Sequence, residues 1–258
     1  MSLKKTEQEI ELMREGGQIL SRALGKAVEA VRPGIKIAEL DKIAEAEIRA
    51  GGGEPSFLNF ANRHDDNPFP SSLCVSINEE VVHGTADRDI ELKEGDIVGL
   101  DLGCKYKDLY TDMAVTVPVG SVSKEATDLM AATKQALLDA VASVRVGGTI
   151  ADIGMAVEKS IAPHGYGIVR QLVGHGVGHE VHEEPRIPNF YDKAMEKKKI
   201  VEGECLAIEP MITAGEYLLE TTDDGWTAVT ADQSLAAHFE VTIAATESGT
   251  EILTPLPV

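Results

Sequence analysis

Cationic side chains are in short supply in this chain of 258 residues: 24 Lys and Arg stand against 43 Asp and Glu, a formal net charge of −19. Nucleic-acid binding rests on neutralising phosphates with Lys and Arg, so it is disfavoured, and anionic membrane surfaces are disfavoured with it. Cysteine is scarce and odd in number: Cys74, Cys104 and Cys205 lie far apart and form no C-x-x-C pair. That excludes a zinc knuckle and a thioredoxin-like pair, and points to a reducing compartment. No run approaches the ~20 apolar residues of a membrane span. No signal-peptide h-region precedes the charged helical pattern at the N-terminus, so a cytoplasmic protein is expected. Aromatic residues make up only 4% of the chain, with a single tryptophan. What remains is ordinary globular composition, 43% hydrophobic and 26% charged. The length suffices for a sizeable core without staples. The surplus carboxylates are available for binding cations.

Hydrophobic spacing predicts helices from about Glu7 to Val31, ended by Pro33-Gly34, and from Ile37 to Ala50, ended by Gly51-Gly52-Gly53. Further helices are expected near 124–144 and 150–162. Strands are expected at Leu73–Ile77, Ile97–Leu102, Ala114–Val117, Val201–Ile212, Ala228–Thr230 and Phe239–Thr246. Asn59–Ser72, rich in Asn, Asp and Pro, reads as an exposed loop. Helices come first and strands later in each half, which points to an α+β fold.

An internal repeat underlies that order. Residues 31–40 (VRPGIKIAEL) align with 144–153 (VRVGGTIADI), and 94–101 (EGDIVGLD) with 202–209 (EGECLAIE). Between them His83-Gly84 parallels His175-Gly176. We therefore expect one domain over residues 1–258, made of two pseudo-twofold-related halves, roughly 1–120 and 121–258. Such packing would bring Asp101 and Glu209 to equivalent strand ends. A charge closing an apolar strand is costly to bury unless it is paired or bound to metal.

Asp112 and Glu240 add two more carboxylates within apolar strand patterns. With one histidine, four carboxylates make an oxygen-rich set suited to Mn²⁺, Fe²⁺ or Co²⁺ rather than to a thiolate-type structural zinc. They exceed what one ion needs and suit two ions ~3.5–4 Å apart. His175, held between glycines, is the functional histidine expected of the stretch 174–185. His182 is a candidate to face substrate, and His179 is expected to be exposed or to act indirectly. His179-Glu180 begins an H-E-x-x-H pattern, but the next histidine comes at 182 and the motif fails.

These residues carry a resemblance. Asn78-Glu79-Glu80-Val81-Val82-His83-Gly84, Asp101, Asp112, Gly174-His175-Gly176-Val177-Gly178, His182-Glu183-Glu184-Pro185, Ile208-Glu209-Pro210, Asp224-Gly225-Trp226 and Phe239-Glu240 resemble, in order, the type I methionine aminopeptidases. The likeness covers nearly the whole chain. It implies the pita-bread fold, a curved antiparallel sheet flanked by helices. It also implies a dinuclear site with Asp101, Asp112, His175, Glu209 and Glu240 as ligands, Asp112 and Glu240 bridging. The ions would be Co, Mn, Fe or Zn. Glu209 would double as general base, with His83 and His182 beside the substrate amide. Phe57, Phe60, Phe69, Cys74 and Trp226 fall where the family builds its methionine pocket, a soft apolar slot suited to a thioether.

The implied activity is hydrolytic removal of the N-terminal methionine from nascent proteins and peptides whose second residue is small. The implied partners are those N-termini, with transient ribosome contact, and a monomeric state is expected. An Xaa-Pro dipeptidase or aminopeptidase P-like enzyme is the alternative, although such relatives carry a further N-terminal domain that 258 residues cannot hold. A catalytically inactive binding relative is another, disfavoured because all five ligand positions are filled. Three departures from the family pattern stand out: a longer loop at 61–68 bordering the pocket, the residues His238 and Val241 flanking Glu240, and Leu109-Tyr110-Thr111 before Asp112.

Overall fold

Helix α1 (Glu7–Ala30) begins at a reciprocal cap: Glu9 N–H donates to Thr6 Oγ1 while Thr6 N–H donates to the Glu9 carboxylate. One face buries Met13, Ile19, Leu20, Ala23, Leu24 and Ala27. Helix α2 (Ile37–Ala50) does the same with Ile37, Leu40, Ala44 and Ile48. Each such Leu or Ile, fully buried, contributes roughly 1.5–3 kcal/mol. Helices α3 (Lys124–Ser143) and α4 (Ile150–Ile161) start at the side-chain caps Ser123 and Thr149. α1 packs on α2, and α3 packs on α4. The computed structural model describes residues 3–61 and 67–257. Most of the proposed 61–68 loop extension, residues 62–66, thus lies outside the described residues.

The helices flank a nine-stranded sheet in which every pairing is antiparallel. Its path runs Glu54–Pro55, Ile97–Tyr106, Leu109–Pro118, Glu240–Thr246, Cys205–Ile208, Gly174–Gly176, Glu183–Ile187. Leu73–Ile77 also pairs with Ile97–Tyr106, and Gly249–Ile252 with Glu240–Thr246. The fold is the expected α+β pita-bread architecture, a curled antiparallel sheet with helices against it.

Strand lengths differ from expectation in an informative way. The predicted strand Val201–Ile212 is instead Cys205–Ile208 and Met211–Thr213. Glu209-Pro210 interrupts it, because proline has no N–H to give to the ladder. The Ile97 and Ala114 strands are longer than expected and form one hairpin, so Asp112 sits inside its strand rather than at its start.

The two halves repeat their backbone hydrogen bonds. Gly34 N–H donates to Leu92 O and Leu92 N–H to Ile35 O, as Gly147 N–H does to Ile200 O and Ile200 N–H to Gly148 O. Ile37 N–H donates to Ile90 O as Ile150 N–H does to Lys198 O. Long-range contacts then tie the first helix to distant segments. A Cβ on Gly17 would lie 2.1 Å from Leu253 O. Arg14 pairs with Glu251, and the buried Lys5 Nζ donates to Glu183 Oε2 at 2.6 Å.

Candidate active site

Register places the acidic residues together. Asp101 and Glu240 both pair with Ala114, one from each side, and Cys74 pairs with Asp101 on the far side. Asp112, two residues before Ala114, lies on the same face of the sheet. Glu209 follows Ile208, which pairs with Val241 beside Glu240, and His175 pairs with Ala207, two residues before Glu209. Ligand atoms of Asp112, His175 and Glu240 lie within 4.8 Å of one another.

These carboxylates are buried: Asp112 and Glu240 are each 3% exposed. Asp101 Oδ1, Asp112 Oδ1 and Glu240 Oε1 have no hydrogen-bond partner. Burial raises the pKa of Asp101 to about 7. Burial first, and the neighbouring carboxylates second, raise Asp112, Glu209 and Glu240 well above the carboxylate range. Orphaned oxygens around mutually repelling acids are the donor set that divalent cations satisfy.

His175 completes this set. Its Nδ1–H donates to Gly176 O at 2.9 Å, leaving the Nε2 lone pair facing the carboxylates, 3.4 Å from Glu209 Oε1. Such an outer hydrogen bond fixes the tautomer of a metal-binding imidazole. Its glycine neighbours serve close packing. A Cβ on Gly174 would approach Ala207 O to 2.5 Å, and one on Gly176 would approach Glu184 O to 2.2 Å. Burial, with His182 nearby, lowers the pKa of His175 to about 3 and that of His83 to about 4, so both are neutral. His83 holds a φ of +60°, a left-handed conformation uncommon outside glycine and typical of constrained functional positions.

All twelve residues singled out from the sequence line one cavity of about 140 Å³. Phe57, Phe69 and Cys74 form its buried apolar wall, with Phe60 and Trp226 beside them, and the wall packs against Val181 and Tyr110. Phe69 meets Trp226 edge-on at 5.3 Å, and Phe60 meets His182 at 5.4 Å. His182 also stands edge-on to His175, ring centres 4.5 Å apart. It is open to solvent by surface area, yet enough protein surrounds it to lower its pKa. Asp224 holds the Trp226 loop by accepting from Thr222 Oγ1, Trp226 N, Thr227 N and Thr227 Oγ1.

His179 does not line the cavity; its Nε2 lies 2.9 Å from Glu9 Oε1. Val181 and Tyr110, packed behind the wall, are not singled out by the sequence. Both are ordinary apolar positions of their segments, and only the fold brings them there. His238 was noted only as a departure from the family pattern, yet its ring reaches the carboxylates.

Comparisons agree with this geometry. Residues 11–247 match metallopeptidase family M24. A methionine aminopeptidase of Clostridium perfringens is 42% identical over 98% of this chain and 99% of its own length. Methionine aminopeptidase 1 of Bacillus subtilis is 39% identical over the same shares. The crystal structure of methionine aminopeptidase from Rickettsia prowazekii superposes with a TM-score of 0.91 at 34% identity, covering 98% of this chain and 99% of that one. Prolidase from Pyrococcus furiosus superposes at 0.78 and 25% identity, with 65% of its length covered. Among the described residues no helix is long and apolar enough to cross a membrane. With a family match spanning most of its length and relatives similar from end to end, the chain belongs to metallopeptidase family M24.

Proposed function

We propose that the protein is a metal-dependent methionine aminopeptidase that removes the N-terminal methionine from nascent proteins and peptides when the second residue is small. One observation carries the reading: a single cavity joins a cluster of four carboxylates, three of them buried, and a histidine to a slot of Phe57, Phe60, Phe69, Cys74 and Trp226. Sequence identity favours it too, at 42% to a methionine aminopeptidase against 25% to a prolidase.

Asp101, Asp112, His175, Glu209 and Glu240 would hold two divalent ions of Co, Mn, Fe or Zn. When bound, the ions supply Lewis acidity that polarises the scissile carbonyl and lowers the pKa of an attacking water. Glu209 accepts the proton of that water. His83 and His182, neutral and on opposite segments, hydrogen-bond the substrate amide and the charge that develops on its carbonyl oxygen. The slot takes the unbranched thioether, and the wall near His83 limits the second side chain. The repeated hydrogen bonds of residues 34–37 and 147–150 support a duplicated origin for halves 1–120 and 121–258, within one catalytic domain. The substrates are N-termini met in the cytoplasm by a monomer in transient contact with the ribosome.

The test is kcat/KM for Met-Ala-Ser, Met-Leu-Ser and Ala-Pro-Ser with the metal-loaded protein. Met-Ala-Ser should lead. Equal rates on the first two would discard the small-residue rule, and preference for the third would make this an Xaa-Pro enzyme.

A further inference from the structure

His238 is a buried histidine with no part in the roles above. It ends the strand Ala236–His238, is 3% exposed, and its Nε2 has no hydrogen-bond partner. An unpaired buried polar atom costs roughly 1–3 kcal/mol. The backbone that carries the ring is fixed by one hydroxyl from the neighbouring sheet: Thr116 Oγ1 donates to His238 O and accepts from His238 N–H, each at 2.9 Å. The ring is thereby aimed at two carboxylates, with Nε2 3.9 Å from Glu209 Oε2 and 3.8 Å from Glu240 Oε2. Nε2 carries at most one hydrogen, so it can donate to only one of the two acids.

The choice between them follows from what else each acid touches. Glu240 shares its site with Asp112 and His175, their ligand atoms within 4.8 Å of one another. As the bridging ligand that the resemblance implies, it would use both of its oxygens there. Glu209 is divided differently. Its Oε1 faces His175 Nε2 at 3.4 Å, whereas its Oε2 faces His238. Its backbone carbonyl is held by Asn189 Nδ2 at 2.9 Å, so the residue is anchored at its base and free only at the carboxylate. A small rotation of that carboxylate brings Oε2 from 3.9 Å to a hydrogen bond of ~2.9 Å.

We propose that His238 is a positioning residue for Glu209, donating Nε2–H to Glu209 Oε2 and so reserving Oε1 for the metal. This rests on the dinuclear reading above. The hydrogen bond would make Glu209 a single-oxygen ligand of fixed direction. It would also favour the ionised form of Glu209 among three other acids, since a donor to a carboxylate stabilises its charge. Outer-shell partners of this kind are worth about 10–100-fold in metal affinity or activity.

The test titrates Co²⁺ into the metal-free full-length protein by calorimetry and follows the visible Co²⁺ absorption bands, neither of which needs turnover. His238→Leu and His238→Met remove the donor while keeping apolar bulk; either suffices if the other does not fold. His238→Gln restores an N–H of similar reach. Leu or Met should weaken one of the two ions by about 10–100-fold and shift the absorption bands, and Gln should recover most of both. Wild-type affinity and bands in the Leu and Met variants would overturn the proposal. A Gln variant as weak as Leu would overturn it as well, making His238 itself a ligand. Should the wild-type protein bind fewer than two ions, the dinuclear reading fails instead, which separates the two failures.

Discussion

Stripped of divalent ions by a chelator, the protein should lose thermal stability as pH rises from 7 to 8.5. Burial lifts Asp101 from 3.8 to about 7, and burial with neighbouring acids lifts Asp112, Glu209 and Glu240 well above their ordinary values. A carboxyl whose pKa is higher in the folded chain holds a proton that unfolding releases. Its contribution is fully present below the unfolded value and is lost as pH climbs through the folded one. For Asp101 the whole displacement is on the order of 4 kcal/mol. Above pH 7 each acid that still keeps its proton lowers stability by about 1.4 kcal/mol per pH unit, or roughly 3–6 °C in Tm for a chain of this length. Histidines do not blur this window. His83 titrates at about 4 and His175 and His238 at about 3 in the folded chain, against 6.5 unfolded, so above pH 7 they are largely neutral in both states. The assay is scanning calorimetry of the chelated protein beside a sample with excess Co²⁺ or Mn²⁺. Metal should abolish or reverse the trend, because it binds the deprotonated ligands. A chelated protein whose Tm stays flat or rises over this range would refute the claim that these acids face one another in a dry site.

Four further outcomes are expected. Asp112→Ala should lose at least one ion by elemental analysis; two ions at undiminished affinity would remove Asp112 from the ligand set. His83→Ala and His182→Ala should keep both ions and the fold while kcat falls on the order of 10²-fold; loss of an ion in either variant would make that histidine a ligand. Burial alone would raise Asp224, but its four accepted hydrogen bonds outweigh it and hold the carboxyl at about 2. Its support of the Trp226 loop is therefore present above 3.8 and lost as pH falls towards 2. Fluorescence of the single tryptophan should report that acid transition, and Asp224→Ala should show the acid-form spectrum already at pH 7; an unchanged spectrum counts against the assignment. Lys5→Met leaves Glu183 buried without its cation and should cost about 3–5 kcal/mol by denaturant titration, whereas a loss under ~1 kcal/mol would mean that the pair is dispensable.

Helices were the most legible part of the fold. Thr6 and Thr149 cap α1 and α4 with reciprocal bonds to Glu9 and Asp152, and apolar residues recur at helical spacing behind them. The acids were legible for a related reason: Asp101, Asp112 and Glu240 are charges set in apolar strands, where burial demands a partner. The short strands Gly174–Gly176 and Glu183–Ile187 escaped notice, since two glycines and a proline hide any alternation. Glu209 was found as a strand end, but the break at Pro210 that ends the strand there was read through. His238 could not have been assigned a role from its neighbours in sequence. What matters is the oxygen that its Nε2 faces, on a residue 29 positions earlier, and only tertiary packing sets that distance.

The contacts of α1 also govern when this protein can begin to work. During synthesis α1 emerges well before its partners, since Gly17 is pressed against Leu253, and Arg14 pairs with Glu251 across 237 positions of chain. Lys5 waits for Glu183, which also accepts from the backbone N–H groups of His179 and Glu180, beside His182. Met13, packed with Val177, Cys205, Ala244 and Leu253, thus remains partly uncovered while most of the polypeptide is made. Contacts of such long sequence separation form slowly and leave the intermediate prone to association. The segment bearing His175 and His182 can be braced by Lys5 only after Glu183 has been made. A partly made chain would accordingly hold its acids and histidines on unjoined segments, and competence would appear in one late step, as Glu251 and Leu253 reach α1.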